Sequence, residues 1–113
     1  MDTLQYLLDR QRKFEQDLIS LDQIADLAYQ QSQLKEYSLA LIVEVTEFLA
    51  EINWKPWKKT QKDVDCAKVK EEFIDILHFF LILALLLDLD ATEIKTIYDK
   101  KMAINEARQK SGY

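Results

Sequence analysis

Turn-forming residues and histidine are scarce in this chain. Its 113 residues include one glycine, one proline, one cysteine and one histidine. A fold of short strands joined by tight turns needs more glycine and proline than this, so long helices are predicted. The single Cys66 cannot form an intramolecular disulfide, which suits a reducing compartment. The sequence also lacks a glycine-rich phosphate-binding loop.

Excess positive charge and a membrane-length apolar run are lacking too. The net charge is −5 and the isoelectric point is near 4.9, which argues against a nucleic-acid polymer as partner. The apolar run from Phe73 to Leu87 is too short to span a bilayer and carries Asp75 and His78. We therefore expect a buried core helix and no membrane partner. No basic-then-apolar leader opens the chain, and a cytoplasmic location is expected.

Apolar residues recur at helical spacing in four segments. The approximate predicted bounds are Thr3 to Ile19, Asp22 to Ile52, Val64 to Leu87 and Asp90 to Gln109. The second segment begins with weak patterning, which allows a break or bend near Gln33. Asp90, with Glu93 three residues later, is a candidate N-cap. We expect one all-α domain over residues 1–113, built as a four-helix bundle.

The segment from Asn53 to Thr60 interrupts the helical pattern at Pro56, which predicts a loop. It combines two tryptophans, Trp54 and Trp57, with the cationic Lys55, Lys58 and Lys59. Aromatic rings beside lysines suit a ligand with a flat ring and phosphates. Alternatively, the tryptophans cap the end of the bundle while the lysines stay solvated, and the sequence leaves both readings open.

Two acidic pairs are the most informative pattern in the chain. Glu44 and Glu47 lie three residues apart, as do Glu72 and Asp75, and apolar residues surround each pair. Carboxylates at this spacing share one helix face. Four of them directed into a helical core would repel one another and resist desolvation. A hard cation such as Mg²⁺, which prefers oxygen ligands, removes both problems.

This pattern also has interpretations that need no metal. An acidic helical protein carries many solvated surface glutamates, and Glu71 is four residues before Asp75 and could share its face instead of Glu72. His78 follows Asp75 by three residues and could be a ligand, but a core histidine bonded to a neighbouring helix is the simpler interpretation. All-oxygen ligation also fits Mg²⁺ better than zinc or iron.

Two further features bear on binding and assembly. Lys101, Asn105 and Arg108 align on one face of the last helix, either as a phosphate-binding stripe or as an ordinary outer face. The segment from Phe79 to Leu87 is apolar all round, which is more than one small bundle needs to bury. We therefore expect a homo-oligomer, as a dimer or a dimer of dimers, with this helix at the interface.

Taken in order, these motifs resemble the all-α nucleoside triphosphate pyrophosphohydrolases, the superfamily of MazG-like enzymes and dimeric dUTPases. The resemblance rests on Glu44-x-x-Glu47, Glu72-x-x-Asp75 and Lys101-x-x-x-Asn105-x-x-Arg108. The dimeric dUTPase branch is the most similar, because the segment from Trp54 to Lys59 resembles its aromatic-lysine loop. The similarity runs from about Leu7 to Tyr113.

The resemblance implies an enzyme that converts dUTP to dUMP and pyrophosphate. Two or three Mg²⁺ ions would be held by Glu44, Glu47, Glu72 and Asp75, with Glu47 also orienting or deprotonating the attacking water. The residues implied for the phosphates are Lys58, Lys101, Asn105 and Arg108. Those implied for the base are Gln11, Trp57 and Phe79.

One departure from the family pattern concerns base selection. The asparagine expected a few residues after Gln11 is absent, and Glu15 stands close by. A broader (d)NTP pyrophosphatase therefore remains an alternative to a dUTPase. A di-iron carboxylate bundle would need Glu-x-x-His on two helices, and the chain has one histidine. A non-catalytic helical interaction module would not require buried acidic pairs.

Overall fold

A computed structural model describes residues 2–112 and contains four α-helices. They are α1 (Thr3–Glu15), α2 (Leu27–Ala50), α3 (Cys66–Leu86) and α4 (Ala91–Lys110), with a short 3₁₀ turn at Leu21–Gln23. Within the described range there is no strand, so the predicted all-α class is confirmed. Tyr113, the last residue of the predicted similarity, lies outside that range.

An aspartate begins each of the four helices. The side chains of Asp2, Asp26, Asp65 and Asp90 each accept a hydrogen bond from a backbone N–H of the first helical turn. These bonds satisfy donors that the helix itself leaves unpaired. The cap predicted at Asp90 is therefore present, and its carboxylate accepts from the Glu93 N–H at 2.8 Å.

Three predicted boundaries differ from the observed ones. The first helix ends at Glu15 instead of Ile19, because the N–H groups of Leu18 and Ile19 both bond to the Glu15 carbonyl and turn the chain. The second begins at Leu27 instead of Asp22, and the third at Cys66 instead of Val64. In these two cases the caps are Asp26 and Asp65, whose side chains accept from the first-turn N–H groups.

Helix α2 continues through Gln33 without a break. The polar beginning of this helix is used for tertiary hydrogen bonds. The hydroxyl of Tyr29 accepts from the Ser20 N–H at 2.9 Å, and Gln30 Nε2 donates to the Leu86 carbonyl at 2.8 Å. The second bond joins the start of α2 to the end of α3, so the two helices run antiparallel.

The core lies where α1 and the end of α3 pack together. Leu8, Leu81, Leu85 and Ala91 form one buried cluster, and Ile19, Ile82 and Leu86 form a second one beside it. Most of the second half of α3 is thus covered inside the chain, while Phe80 and Leu87 are exposed. The predicted role of the Phe79 to Leu87 segment as an interface stays a prediction.

Helix α4 leaves the body of the molecule after its first turn. Its start is fixed by the Ala91 N–H, which donates to Gln5 Oε1 at 2.9 Å. Every side chain from Lys95 to Lys110 is exposed, including the apolar Ile97, Tyr98, Met102 and Ile104. In the described part of the chain, no helix is long and apolar enough to cross a membrane.

Candidate active site

The antiparallel packing of α2 against α3 brings the two acidic pairs together. One carboxylate oxygen from each of Glu44, Glu72 and Asp75 lies within 4.8 Å of the other two. All three side chains are half-buried. The geometry offers three convergent oxygen ligands to a cation.

Two of these carboxylates each have an oxygen that nothing satisfies. Glu44 Oε2 and Glu72 Oε2 are buried and have no hydrogen-bond partner. A buried polar atom without a partner is costly, and natural proteins rarely leave one without a reason. Oxygen ligands of this kind suit Mg²⁺, which is commonly bound through carboxylates with water and phosphate oxygens completing its shell. The donor set therefore fits the metal that the sequence predicts.

The pKa shifts within the cluster also favour a bound cation. Burial is the main cause that raises the pKa of Glu44 above its ordinary value, followed by the negative charges of Glu47 and Asp75. Burial also raises the pKa of Glu72, and Asp75 and Glu47 add to the shift. Both carboxylates resist ionisation in the protein alone, and a divalent cation would reverse that preference.

Glu47 lies at the solvent edge of the cluster. Its side chain is exposed, yet its charge acts on both Glu44 and Glu72. Glu51, one turn further along α2, forms an ion pair with Lys68 at 3.8 Å. Glu47 is thus the cluster carboxylate that water and an incoming ligand reach most easily.

The two alternative ligands lie outside this group. Glu71 is exposed and Glu72 is half-buried, so the second acidic pair is Glu72 with Asp75. His78 lines a different cavity of about 300 Å³ between α1 and α3, together with Arg10 and Phe14. Among the described residues, the ligand set is therefore all carboxylate.

Two of the predicted base-binding residues lie on α3 and α1. Phe79 follows Asp75 by one turn of α3, and its ring centroid is 6.2 Å from that of Tyr37 on α2, with the rings tilted by 35°. Gln11 is buried on α1 and donates from Nε2 to Glu15 Oε1 at 3.0 Å. It also lines the cavity that contains His78.

Glu15 is the residue that sequence reasoning undervalued. Its side chain is 3% exposed, and its second oxygen, Oε2, is buried with no hydrogen-bond partner. Burial, followed by the charge of Glu15, raises the pKa of Tyr37. The available signal was the position of Glu15 on the apolar face of α1, four residues after Gln11 and four before Ile19.

The aromatic-lysine loop is ordered by its own contacts. Asn53 and Lys62 exchange two hydrogen bonds, Asn53 Nδ2 to the Lys62 carbonyl at 2.9 Å and the Lys62 N–H to Asn53 Oδ1 at 3.0 Å. Trp54 and Trp57 meet edge to face with centroids 5.9 Å apart. Trp57 is nevertheless 70% exposed, so its side chain does not cover the end of the bundle.

This loop also borders a cavity of about 300 Å³. Trp54, Lys55 and Lys58 line it, and Lys58 is exposed. An aromatic face and ammonium groups are therefore available side by side, at the end of α2 that follows the acidic cluster.

The polar stripe of α4 is placed differently. Lys101, Asn105 and Arg108 are all exposed on the projecting part of the helix. Among the described hydrogen bonds and ion pairs, none joins Lys101 or Asn105 to the acidic cluster. Within the described part of one chain, no such contact therefore joins Lys101 or Asn105 to the carboxylates.

Comparison with known proteins decides the family. Residues 3–96 match the family model described as dUTPase. The chain belongs to the all-α dUTPase family. The matched range contains both acidic pairs, Gln11, Phe79 and the aromatic-lysine loop, and it ends before the polar stripe of α4.

A relative with a named activity is also found. The chain is 37% identical over 71 residues to a dCTP pyrophosphatase of Enterobacteria phage LZ5. This match covers 53% of the chain and 41% of the relative, so the chain spans less than half of the length of that protein. No solved structure gives a significant match.

Proposed function

We propose that this protein is an Mg²⁺-dependent pyrophosphohydrolase of pyrimidine deoxynucleoside triphosphates, with dUTP hydrolysed to dUMP and pyrophosphate. The observation that carries the proposal is the convergence of Glu44, Glu72 and Asp75, with two buried oxygens left unpaired, inside the region that matches the family. This arrangement is costly unless a cation binds there. A triphosphate bound with such a cation accounts for an acidic protein that acts on an anionic substrate.

The carboxylates have defined roles in this proposal. Glu44, Glu72 and Asp75 hold the metal, and Glu47 completes the set from the solvent side. Bound Mg²⁺ supplies neutralisation of the phosphate charge and a lowered pKa for coordinated water. Glu47, being exposed beside Glu44, is placed to orient the attacking water and take its proton.

Substrate contacts come from the loop and from α1, α3 and α4. Lys58 of the loop, with Lys101, Asn105 and Arg108 of α4, binds the phosphates. Phe79 and Trp57 contact the faces of the base, and the buried Gln11 reads its edge. The exposed ring of Trp57 and its neighbouring lysines suit stacking combined with charge pairing.

A homodimer is part of the proposal. An isolated helix such as α4, exposed from Lys95 onward, gains little stability without packing, and its apolar side chains need a partner. Ile42, Val43, Phe73 and Ile74 expose a second apolar surface beside the acidic cluster. We propose that two chains cover these surfaces and that α4 of one chain supplies its polar stripe to the site of the other.

A second substrate has a specific observation in its favour. The phage relative is named for dCTP, and the asparagine expected after Gln11 is replaced in its neighbourhood by Glu15. Cytosine is therefore a candidate base beside uracil. A wider (d)NTP range remains the alternative if neither pyrimidine is preferred.

The test is a product analysis over all common dNTPs and NTPs, with Mg²⁺ and with EDTA. We expect dUTP to yield dUMP and pyrophosphate in equal amounts, and EDTA to stop the reaction. Formation of dUDP and phosphate would contradict the proposed bond cleavage. No turnover of any nucleotide would contradict the enzyme proposal itself.

A further inference from the structure

An ion pair between α2 and α3 lies at one end of the acidic cluster and has no role in the function proposed so far. It joins Lys68 Nζ, in the first turn of α3, to Glu51 Oε1, at the C-cap of α2, at 3.8 Å. Glu51 follows Glu47 by four residues, and residues at this spacing share one helix face. Lys68 precedes Glu72 by four residues in the same way. The ion pair therefore continues, in both helices, the faces that carry the carboxylates.

The two members of this ion pair differ in how much of each side chain is exposed. The side chain of Glu51 is 23% exposed, whereas that of Lys68 is 55% exposed. An ammonium group has three N–H donors, so contact with one carboxylate oxygen leaves others for a ligand. Lys68 is thus held by Glu51 and still accessible from solvent.

The positive charge of Lys68 also reaches the carboxylates. Burial is the main cause that raises the pKa of Glu72, and the charge of Lys68 opposes that rise. Lys101 and Asn105, predicted to bind phosphates, have no described hydrogen bond or ion pair with the cluster. Lys68 is therefore a cation that a single chain itself places beside the acidic cluster.

The face of α3 that carries Glu72 and Asp75 has two chemically different ends. The aromatic Phe79 lies one turn after Asp75, and the cationic Lys68 lies one turn before Glu72. The helix rises about 16 Å between Phe79 and Lys68. In the proposed function Phe79 contacts the base, and the carboxylates between the two ends hold the metal. The outer phosphates of such a nucleotide therefore extend toward Lys68.

Negative charge is the difficulty that a triphosphate brings to this site. The chain has a net charge of −5, and the proposed metal ligands are all carboxylates. Charge-assisted N–H···O bonds from an ammonium group to phosphate oxygens add to the neutralisation that a metal provides. Lys68 has the right chemistry for this contact, and its pairing with Glu51 limits the positions that its side chain takes.

We infer that Lys68 binds the two outer phosphates of the substrate, which leave as pyrophosphate, and that Glu51 is the positioning residue that holds its ammonium group. The inference rests on the proposed function for the orientation of the nucleotide. Because Lys68 contacts the outer phosphates, it contributes to the binding of dUTP and of pyrophosphate but not to the binding of dUMP.

The test is product inhibition of the wild type and of Lys68→Met, with dUTP as substrate and Mg²⁺ present. Loss of a charge-assisted contact should raise the inhibition constant of pyrophosphate about tenfold, and that of dUMP should stay unchanged. Lys70→Met is the matched control, because Lys70 is exposed on the same helix but faces another direction. Both of its constants should equal those of the wild type. An unchanged pyrophosphate constant in Lys68→Met, or an equal rise for dUMP, would overturn the inference.

Glu51→Asp tests the positioning role. This substitution keeps the negative charge but shortens the side chain by one methylene, so the inhibition constant of pyrophosphate should rise severalfold while that of dUMP stays unchanged. In the double variant with Lys68→Met it should add nothing, because Glu51 acts through Lys68. Effects that multiply in the double variant would show that Glu51 does not act through Lys68.

Direct binding separates failure of this inference from failure of the proposed function. Pyrophosphate is titrated, with Mg²⁺, into the wild type and Lys68→Met. If no nucleotide is hydrolysed but Lys68→Met weakens pyrophosphate binding, the role of Lys68 stands and the enzyme proposal fails. If dUTP is hydrolysed and pyrophosphate binds the two proteins alike, the enzyme proposal stands and the role of Lys68 is wrong.

Discussion

At the scale of single residues, the site is defined by carboxylate oxygens that the protein leaves without partners. Glu44, Glu72 and Glu15 each have one such buried oxygen. Glu44 and Glu72 belong to a convergent carboxylate group, which suits a cation, whereas Glu15 is bonded through its other oxygen to Gln11. Unpaired buried oxygens that converge are thus the signature of the proposed metal site.

The exposed Glu47 is predicted to be needed for chemistry and not for folding. Glu47→Gln should lower kcat by about 10²–10⁴-fold, because an amide cannot take a proton from water. Circular dichroism should show helical content equal to the wild type. Glu36→Gln, an exposed substitution on the same helix, should retain full turnover. Normal kcat in Glu47→Gln would remove its proposed role.

The raised pKa values of Glu44 and Glu72 predict a stability that depends on pH and metal. In the folded, metal-free protein these groups stay protonated at pH values above their ordinary pKa of 4.5. The contribution of these two groups to the free energy of unfolding is therefore fully present below pH 4.5. It is lost as the pH rises through their pKa values in the folded protein. In EDTA, Tm of the wild type should fall relative to Glu44→Gln as pH rises.

Mg²⁺ provides the control for this titration. Binding needs ionised carboxylates, so the metal should raise the Tm of the wild type most at the higher pH values, and that of Glu44→Gln much less. A difference in Tm between the two proteins that is independent of both pH and Mg²⁺ would contradict the metal site.

At the scale of elements, helix type and order were predictable from apolar periodicity, and the existence of all four helices followed from it. The boundaries were less predictable, because Asp22 and Asp26 are both plausible caps and only tertiary contacts such as Tyr29 with Ser20 favour the second. The acidic pairs were recognisable from their spacing. The burial of Glu15 was not recognisable from the sequence, since it depends on how α1 packs against its neighbours.

The aromatic-lysine loop carries an element-scale prediction. Because Trp57 is exposed, Trp57→Ala should change the free energy of unfolding by no more than about 0.5 kcal/mol. Loss of stacking on the base should weaken substrate binding by about 1–3 kcal/mol, which would appear as a higher KM. Leu18→Ala, also an exposed apolar truncation, is the control and should leave KM unchanged. Unchanged KM in Trp57→Ala would exclude stacking.

At the scale of the whole molecule, the sequence predicted an oligomer because the segment from Phe79 to Leu87 is apolar all round. The structure exposes other apolar side chains as well. Most of the second half of α3 is covered within the chain, and many of the exposed apolar side chains lie on α2, on the first half of α3 and along α4. Sequence periodicity shows how much of a helix is apolar but not which neighbour covers it. The proposed interface therefore moves to α4 and to the surface beside the acidic cluster.

Sharing of sites between chains can be tested by complementation. Glu47→Gln and Lys101→Ala proteins should each be inactive as homodimers under the proposal. After mixing, unfolding and refolding together, heterodimers should contain one site with both wild-type residues and regain activity. Refolded single variants are the controls. A mixture that stays inactive, although light scattering shows dimers, would contradict a site built from two chains.

The most direct test of the central claim is Mg²⁺-dependent pyrophosphate release from dUTP by a pair of neighbouring variants, Glu72→Gln and Glu71→Gln. Glu72 belongs to the convergent carboxylates and has a buried unpaired oxygen, whereas Glu71 is exposed beside it. The account predicts that Glu71→Gln releases pyrophosphate like the wild type with Mg²⁺ and not with EDTA, and that Glu72→Gln releases almost none. Equal release by the two variants, or release that persists in EDTA, would contradict it.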